Sequence, residues 1–151
     1  MKALRIRPLS RADLAGATRI DAHHTGARKP GYWKRVFAEF LGRGAAGRVR
    51  VGLAAELDGR LAGYLLGEVR AFEFGSGPCG WVFAVGVDPA RLRLGVASAL
   101  LAEACRAFRA AGVSRVRTMV RRNDVPVLAF FRSSGFSGGS YVQLELDVGA
   151  A

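Results

Sequence analysis

Residues 81–87, WVFAVGV, form an unbroken apolar run. The run is far too short to cross a bilayer and has no polar face to turn toward water, so it fits a central strand covered on both sides. A chain organised around such a strand needs helices above and below its sheet. The rest of the sequence supplies candidates for both layers.

Ser10 followed by Arg11, Ala12 and Asp13 reads as a helix cap with a carboxylate near the positive helix end. The helix it opens carries Leu14, Ala17, Thr18 and Ile20 along one side and loses its pattern at HHTGARKPG. A second helix over 32–41 places Trp33, Val36, Phe37, Phe40 and Leu41 at helical spacing. Strands are expected over 3–9, 49–57 and 61–74, with Asp58-Gly59 as the positive-φ pair of a tight hairpin. After the apolar run a helix is expected from about Leu94 to Ala111, stepping through Ala97, Leu101, Ala104 and Phe108 and ending at Gly112. A strand over 113–121, a helix over 125–134 and a last strand over 141–148 complete the order. In that last strand Val142, Leu144, Leu146 and Val148 alternate with polar residues. The expected fold class is α/β (α+β), a mixed, mostly antiparallel central sheet with helices on both faces, in one domain spanning residues 1–151.

Charge is the one unusual feature of composition: 23 basic against 12 acidic residues give a formal net charge of +11. Such a chain attracts polyanions, yet its arginines are spread from Arg5 to Arg132 and no nucleic-acid-binding motif appears, which disfavours nucleic acid as partner. A phosphorylated cofactor or an acidic acceptor accounts for part of the charge, and a generally basic surface for the rest. Cys79 and Cys105 lack the spacing of a disulfide framework or zinc site, so free buried thiols and no metal are expected. The start MKALRIRPLSRADL has no signal-peptide core and no membrane span is present, so a cytoplasmic protein is expected.

The segment AVGVDPARLRLGVASALL, residues 84–101, is the most informative. An apolar strand leads through Pro89 into a basic turn and a glycine-opened helix. The first amides of a helix lack internal partners and sit at the positive end of its dipole, so a phosphate there gains several donors at once. Gly95 permits close backbone approach, Ala97 keeps the first turn small, and Arg91 and Arg93 add positive charge.

Val85, Val87 and Pro89 followed by Gly95 and Ala97 resemble the signature of the GNAT superfamily of N-acetyltransferases, V-x-V-x-P and then [Q/R]-x-x-G-x-[G/A]. Leu92 stands at the Gln/Arg place, with an arginine on either side. Farther on, DVPVLAFFRSSGF is similar to the family's N-x-x-A-x-x-F-Y-x-x-x-G-F: Val127 stands for the Ala, Phe130 for the Phe, and Gly135-Phe136 matches outright. The likeness runs from about Ala3 to Val148. It implies acetyl-CoA as cofactor, a small-molecule or protein amine as acceptor, and a homodimer, since dimers are common in the family. It further implies that Val85, Gly86 and Val87 hold the pantetheine arm through their backbone. Arg93, Leu94, Gly95, Val96, Ala97 and Ser98 would wrap the pyrophosphate, and Asn123 or Asp124 would contact the cofactor near its pantetheine end. Phe131 takes the place of a tyrosine that, in many members, is thought to protonate the departing thiolate.

In such chemistry an amine attacks the thioester carbonyl directly, which requires a proton acceptor and help for the developing oxyanion. Glu68 and Glu73, on the strand before the central one, are the candidate bases, each also readable as a solvent-facing strand residue. Tyr141 and Tyr64 are candidates for the hydroxyl missing at Phe131, or packing residues. His23 and His24 beside Asp21 are either a titrating pair or a hydrogen-bonded surface pair, and Tyr32 and Trp33 either line the acceptor side or belong to the core. Two other functions stay open at this point: a cofactor-binding module of the same fold without turnover, and a basic nucleic-acid-associated protein.

Overall fold

The computed structural model describes residues 3–42, 48–71 and 74–149. The chain divides after Met119 into two compact units. The first contains five strands, β1 (Arg5–Pro8), β2 (Arg50–Leu57), β3 (Arg60–Arg70), β4 (Cys79–Val87) and β5 (Val116–Thr118), and three helices, α1 (Leu14–Thr25), α2 (Pro30–Leu41) and α3 (Val96–Ala110). The strands form one mixed sheet in the order β1-β2-β3-β4-β5. Neighbours are antiparallel except β4 and β5, which run parallel. The expected fold class holds.

Alternation along β3 explains how the sheet is covered on both sides. Tyr64 and Leu66 join Ala17 and Ile20 of α1 and Trp33 and Phe37 of α2 in one buried cluster. The intervening Gly63 and Gly67 face α3 instead. A Cβ at Gly63 would lie 2.9 Å from Val96, and one at Gly67 would lie 2.9 Å from Phe108, so the helix sits where only glycine leaves room. Phe108 is fully buried. Its loss to alanine would cost about 3–5 kcal/mol.

The cap expected at Ser10 forms around a short 3-10 turn, Arg11–Asp13, ahead of α1. The Ser10 amide donates to Asp13 at 2.8 Å, and Arg7 grips both carboxylate oxygens of Asp13 at 2.8 Å each. Burial pushes the Asp13 carboxyl up, but the guanidinium and the amide outweigh it and hold the group below its ordinary value. The Asp58-Gly59 turn has the two positive φ values, 59° and 74°, that the hairpin requires.

Several expected boundaries move within this unit: the first strand is Arg5–Pro8, the return strand expected over 61–74 ends at Arg70, and the helix expected over 32–41 starts at Pro30. The strand expected over 113–121 shrinks to Val116–Thr118, because Val113 completes the end of α3, donating to the Phe108 carbonyl at 3.2 Å after Gly112 turns left-handed at φ 87°. The helix expected from Leu94 starts at Val96, since Gly95 is itself left-handed.

The second unit holds α4 (Val125–Ser133), capped by Asp124, whose side chain accepts from the Val127 amide at 3.3 Å. Phe131 lies between Phe130 and Phe136, with ring centroids 5.1 Å from each. The strand expected over 141–148 is not formed. Alternation marks which side chains share a face, but a strand also needs a neighbour for its amides and carbonyls, and no ladder reaches this segment among the described residues. Its Val142, Leu144, Leu146 and Val148 are consequently exposed.

Candidate functional site

β4 changes character at Phe83. Its register with β3 runs Leu66 to Ala84 and then Gly67 to Val82, which leaves Phe83 as the extra residue of a bulge. The bulge turns two consecutive side chains the same way: Phe83 meets Phe40 of α2 with centroids 5.8 Å apart, and Ala84 packs on the α1–α2 cluster. On the opposite edge β5 stops at the Val82–Thr118 pair, where the Thr118 hydroxyl donates to the Val82 carbonyl at 2.8 Å. Among the described residues, 84–87 therefore have a ladder partner only on β3. That open edge can receive an extended ligand arm by main-chain hydrogen bonds.

The far end of β4 is pinned from two sides. The Asp88 amide donates to the Ala62 carbonyl at 2.8 Å, and His24 of α1, with Nε2 protonated, donates to the Val87 carbonyl at 2.7 Å. His24 is thus a positioning residue for the strand. Asp21, its expected partner, is instead engaged by Trp33 Nε1 at 3.0 Å and Lys29 at 3.1 Å. Gly86 has to be glycine, because a Cβ there would lie 2.5 Å from the ring of Tyr64. Tyr64 is buried, and that burial raises its phenol well above the ordinary range. It is a packing residue beneath β4, as Trp33 is beside it with ring centroids 5.0 Å away.

Beyond Asp88 a 3-10 turn, Pro89–Arg91, is capped by the Asp88 side chain, and Arg91 is spent on Asp58 at 3.1 Å. Arg91 therefore ties the turn to the β2–β3 hairpin, while Arg93 is exposed at a positive φ of 64°. Leu94 is also exposed. Gly95 follows in the left-handed region at φ 77°, with nothing within 4 Å of where its Cβ would stand. No side chain caps α3, and the first bond onto the turn is from the Ala99 amide to the Gly95 carbonyl at 3.0 Å. The amides of Val96, Ala97 and Ser98 precede it and are left for an outside acceptor.

A solvent-open cavity of about 430 Å³ lies between α2 and strands β2, β3 and β4. Val36, Phe40 and Phe83 form its apolar lining, with Tyr32 at its edge. Glu68, 8% exposed, lines it as well and pairs with Arg50 at 3.8 Å and Arg70 at 3.4 Å. Glu68 is not the solvent-facing strand residue that alternation alone allows.

The remaining candidates are scattered or outside this region. Glu73 lies outside the described residues. Asn123, Asp124, Phe131 and Tyr141 belong to the second unit, where Asn123 is exposed, Asp124 caps α4, Phe131 is buried and Tyr141 is half exposed. Cys79 and Cys105 are free, and burial pushes the Cys105 thiol up. Among the described residues no cluster of metal-ligating side chains occurs and no helix is long and apolar enough to cross a membrane. Sequence reasoning missed the bulge at Phe83 and the basic wall of the cavity, since neither leaves a local signature.

Residues 17–136 match the family model described as acetyltransferase (GNAT) family. A mycothiol acetyltransferase of Clavibacter michiganensis subsp. michiganensis is 37% identical over 84 residues, which are 56% of this chain and 26% of that protein. The match thus spans about a quarter of that relative's length. Among solved structures, the aminoglycoside N-acetyltransferase AAC(6')-Iy in complex with CoA superposes with a TM-score of 0.84 at 16% identity, covering 98% of this chain and 97% of that one. The aminoglycoside 6'-N-acetyltransferase AAC(6')-Ih from Acinetobacter baumannii gives 0.79 at 14%, covering 97% and 100%. At these identities the structural likeness speaks for the fold.

Proposed function

The chain belongs to the acetyltransferase (GNAT) family, and from that premise we propose that it moves an acetyl group from coenzyme A to a primary amine by direct attack. The observation that carries this reading is the continuous main-chain path from the open edge of β4 to the uncapped start of α3. The residues fit the cofactor: an extended pantetheine arm needs an unpaired strand edge, and a diphosphate needs converging amides with no side chain in the way. Phe83 through Val87 supply the first, and Arg93 through Ser98 the second, with the empty Cβ direction of Gly95 leaving room. Bound there, acetyl-CoA supplies an activated acyl group whose carbonyl carbon exchanges its bond to sulfur for a bond to the amine nitrogen.

The chain's part is to place the reactants and move one proton. The bulge at Phe83 sets the cavity directly beside the strand edge, so an amine bound in the cavity meets the arm at β4. Glu68 takes the proton the nitrogen sheds, directly or through water, and the proton ends on the free thiol. The two free cysteines suit a reducing, cytoplasmic setting.

Calorimetric titration with coenzyme A, followed by thiol release over a panel of amines, tests the reading. Micromolar binding and acceptor-dependent thiol release are expected, and absence of coenzyme A binding would refute it. A second reading, a cofactor-binding module without turnover, stands on Phe131, which has no hydroxyl to offer. It predicts tight binding and no thiol release with any amine.

A further inference from the structure

The cavity beside Phe83 has an unbalanced wall. Four arginines, Arg35, Arg48, Arg50 and Arg70, face two carboxylates, Glu39 and Glu68. Arg50 and Arg70 are drawn onto Glu68, and Arg50 also donates to the Glu39 carbonyl at 2.9 Å and lies over the Phe40 ring. Arg35 and Arg48 have no carboxylate partner among the described residues. Two guanidinium groups therefore line a largely polar cavity whose apolar residues, Val36, Phe40 and Phe83, include the residue of the β4 bulge. A guanidinium is a planar, permanently charged donor that matches carboxylate and phosphate oxygens in pairs.

We propose that the amine acceptor carries a carboxylate or phosphate group, held by Arg35 and Arg48, while its apolar part lies on Val36, Phe40 and Phe83. This deepens the acetyl-transfer reading and rests on it. Arg35 and Arg48 anchor the anionic group, and the amine is left for Glu68 and the strand edge, which border the same cavity. A polycationic amino sugar would instead bring several ammonium groups against unpaired guanidiniums, which costs affinity at every contact. The acceptor class thus differs in charge from the aminoglycosides that name several of the fold's structural neighbours.

The test uses the full chain and two readouts. Calorimetry compares N-acetyl-leucine and an N-acetylated aminoalkyl phosphate with neutral N-acetyl-leucinamide, on the protein alone and saturated with coenzyme A. An anionic probe should bind about tenfold tighter than the amide, and the order of acid and phosphate identifies which anion the site serves. The Arg35→Gln, Arg48→Gln double variant should erase that gap while leaving coenzyme A affinity unchanged. Both arginines are exposed, so the fold does not depend on them. In turnover, leucine or an aminoalkyl phosphate should exceed leucinamide about tenfold in kcat/KM, with a polycationic amino sugar poorest. Equal binding of anionic and neutral probes, a gap that survives the double variant, or a polycation as best acceptor overturns the proposal. Coenzyme A binding without anion selectivity counts against this proposal alone. Anion selectivity without any coenzyme A binding counts against the transfer reading, and with it against an acceptor here.

Discussion

From Phe83 to Ser98 the protein offers a ligand main chain: an open strand edge, a left-handed glycine and the first amides of α3. Under α2 it offers side chains instead, drawn from α2, β2, β3 and β4 and from Arg48 just before β2. A backbone cradle is made by one continuous stretch, and in the proposed reading it meets what every acyl-CoA shares. A side-chain cavity is assembled from distant stretches, and any one of its charges can change without disturbing the fold. The contrast explains how one fold can keep its donor while its acceptor varies. The two regions should therefore respond differently to substitution.

The largest effect is expected at the cradle. Gly95→Glu would point a carboxylate at the diphosphate and displace it from at least two charge-assisted hydrogen bonds, each worth about 1.5–3 kcal/mol. Coenzyme A affinity should fall roughly a hundredfold or more, read by calorimetry, with circular dichroism retained. In the cavity, Glu68→Gln should lower kcat by about a hundredfold with coenzyme A affinity intact. A rate unchanged across the pH range would remove Glu68 as base.

Two glycines of the cradle sharpen the comparison further. Gly86→Ala puts a methyl 2.5 Å from the Tyr64 ring and should cost about 1–3 kcal/mol of stability. Gly95→Ala meets only its positive φ and should cost about 1 kcal/mol. Thermal unfolding of the pair checks the order. The smallest effect concerns the scaffold away from both regions. Asp13 has a folded pKa depressed below its unfolded value, so its contribution is present above the unfolded value and is lost as pH falls through the folded one. Urea midpoints should drop on acidification below about pH 4, and less steeply in Arg7→Met.

The same contrast sets what was legible beforehand. The turn from β4 into α3 could be read because its requirements are local: a strand, a Pro-started turn, a glycine and small residues within a short stretch. His24 reaches Val87 across 63 positions of sequence, and the cavity joins Arg35 to Phe83 by tertiary packing alone. No local spacing encodes either. The mixed sheet with helices on both faces followed from the order of the elements, strands grouped in hairpins and then a strand-helix-strand crossover. Alternation misled at 141–148, where a face was specified but no neighbouring strand, and at Val113, which the left-handed Gly112 claims for the end of α3.

The most direct test follows backbone amides by nuclear magnetic resonance as coenzyme A is added to the intact protein. The account predicts the largest shifts, and new protection from exchange, at Val96, Ala97 and Ser98, with a second group along Ala84 to Val87. Saturable binding that leaves those amides unmoved, with the perturbed signals elsewhere, would contradict it.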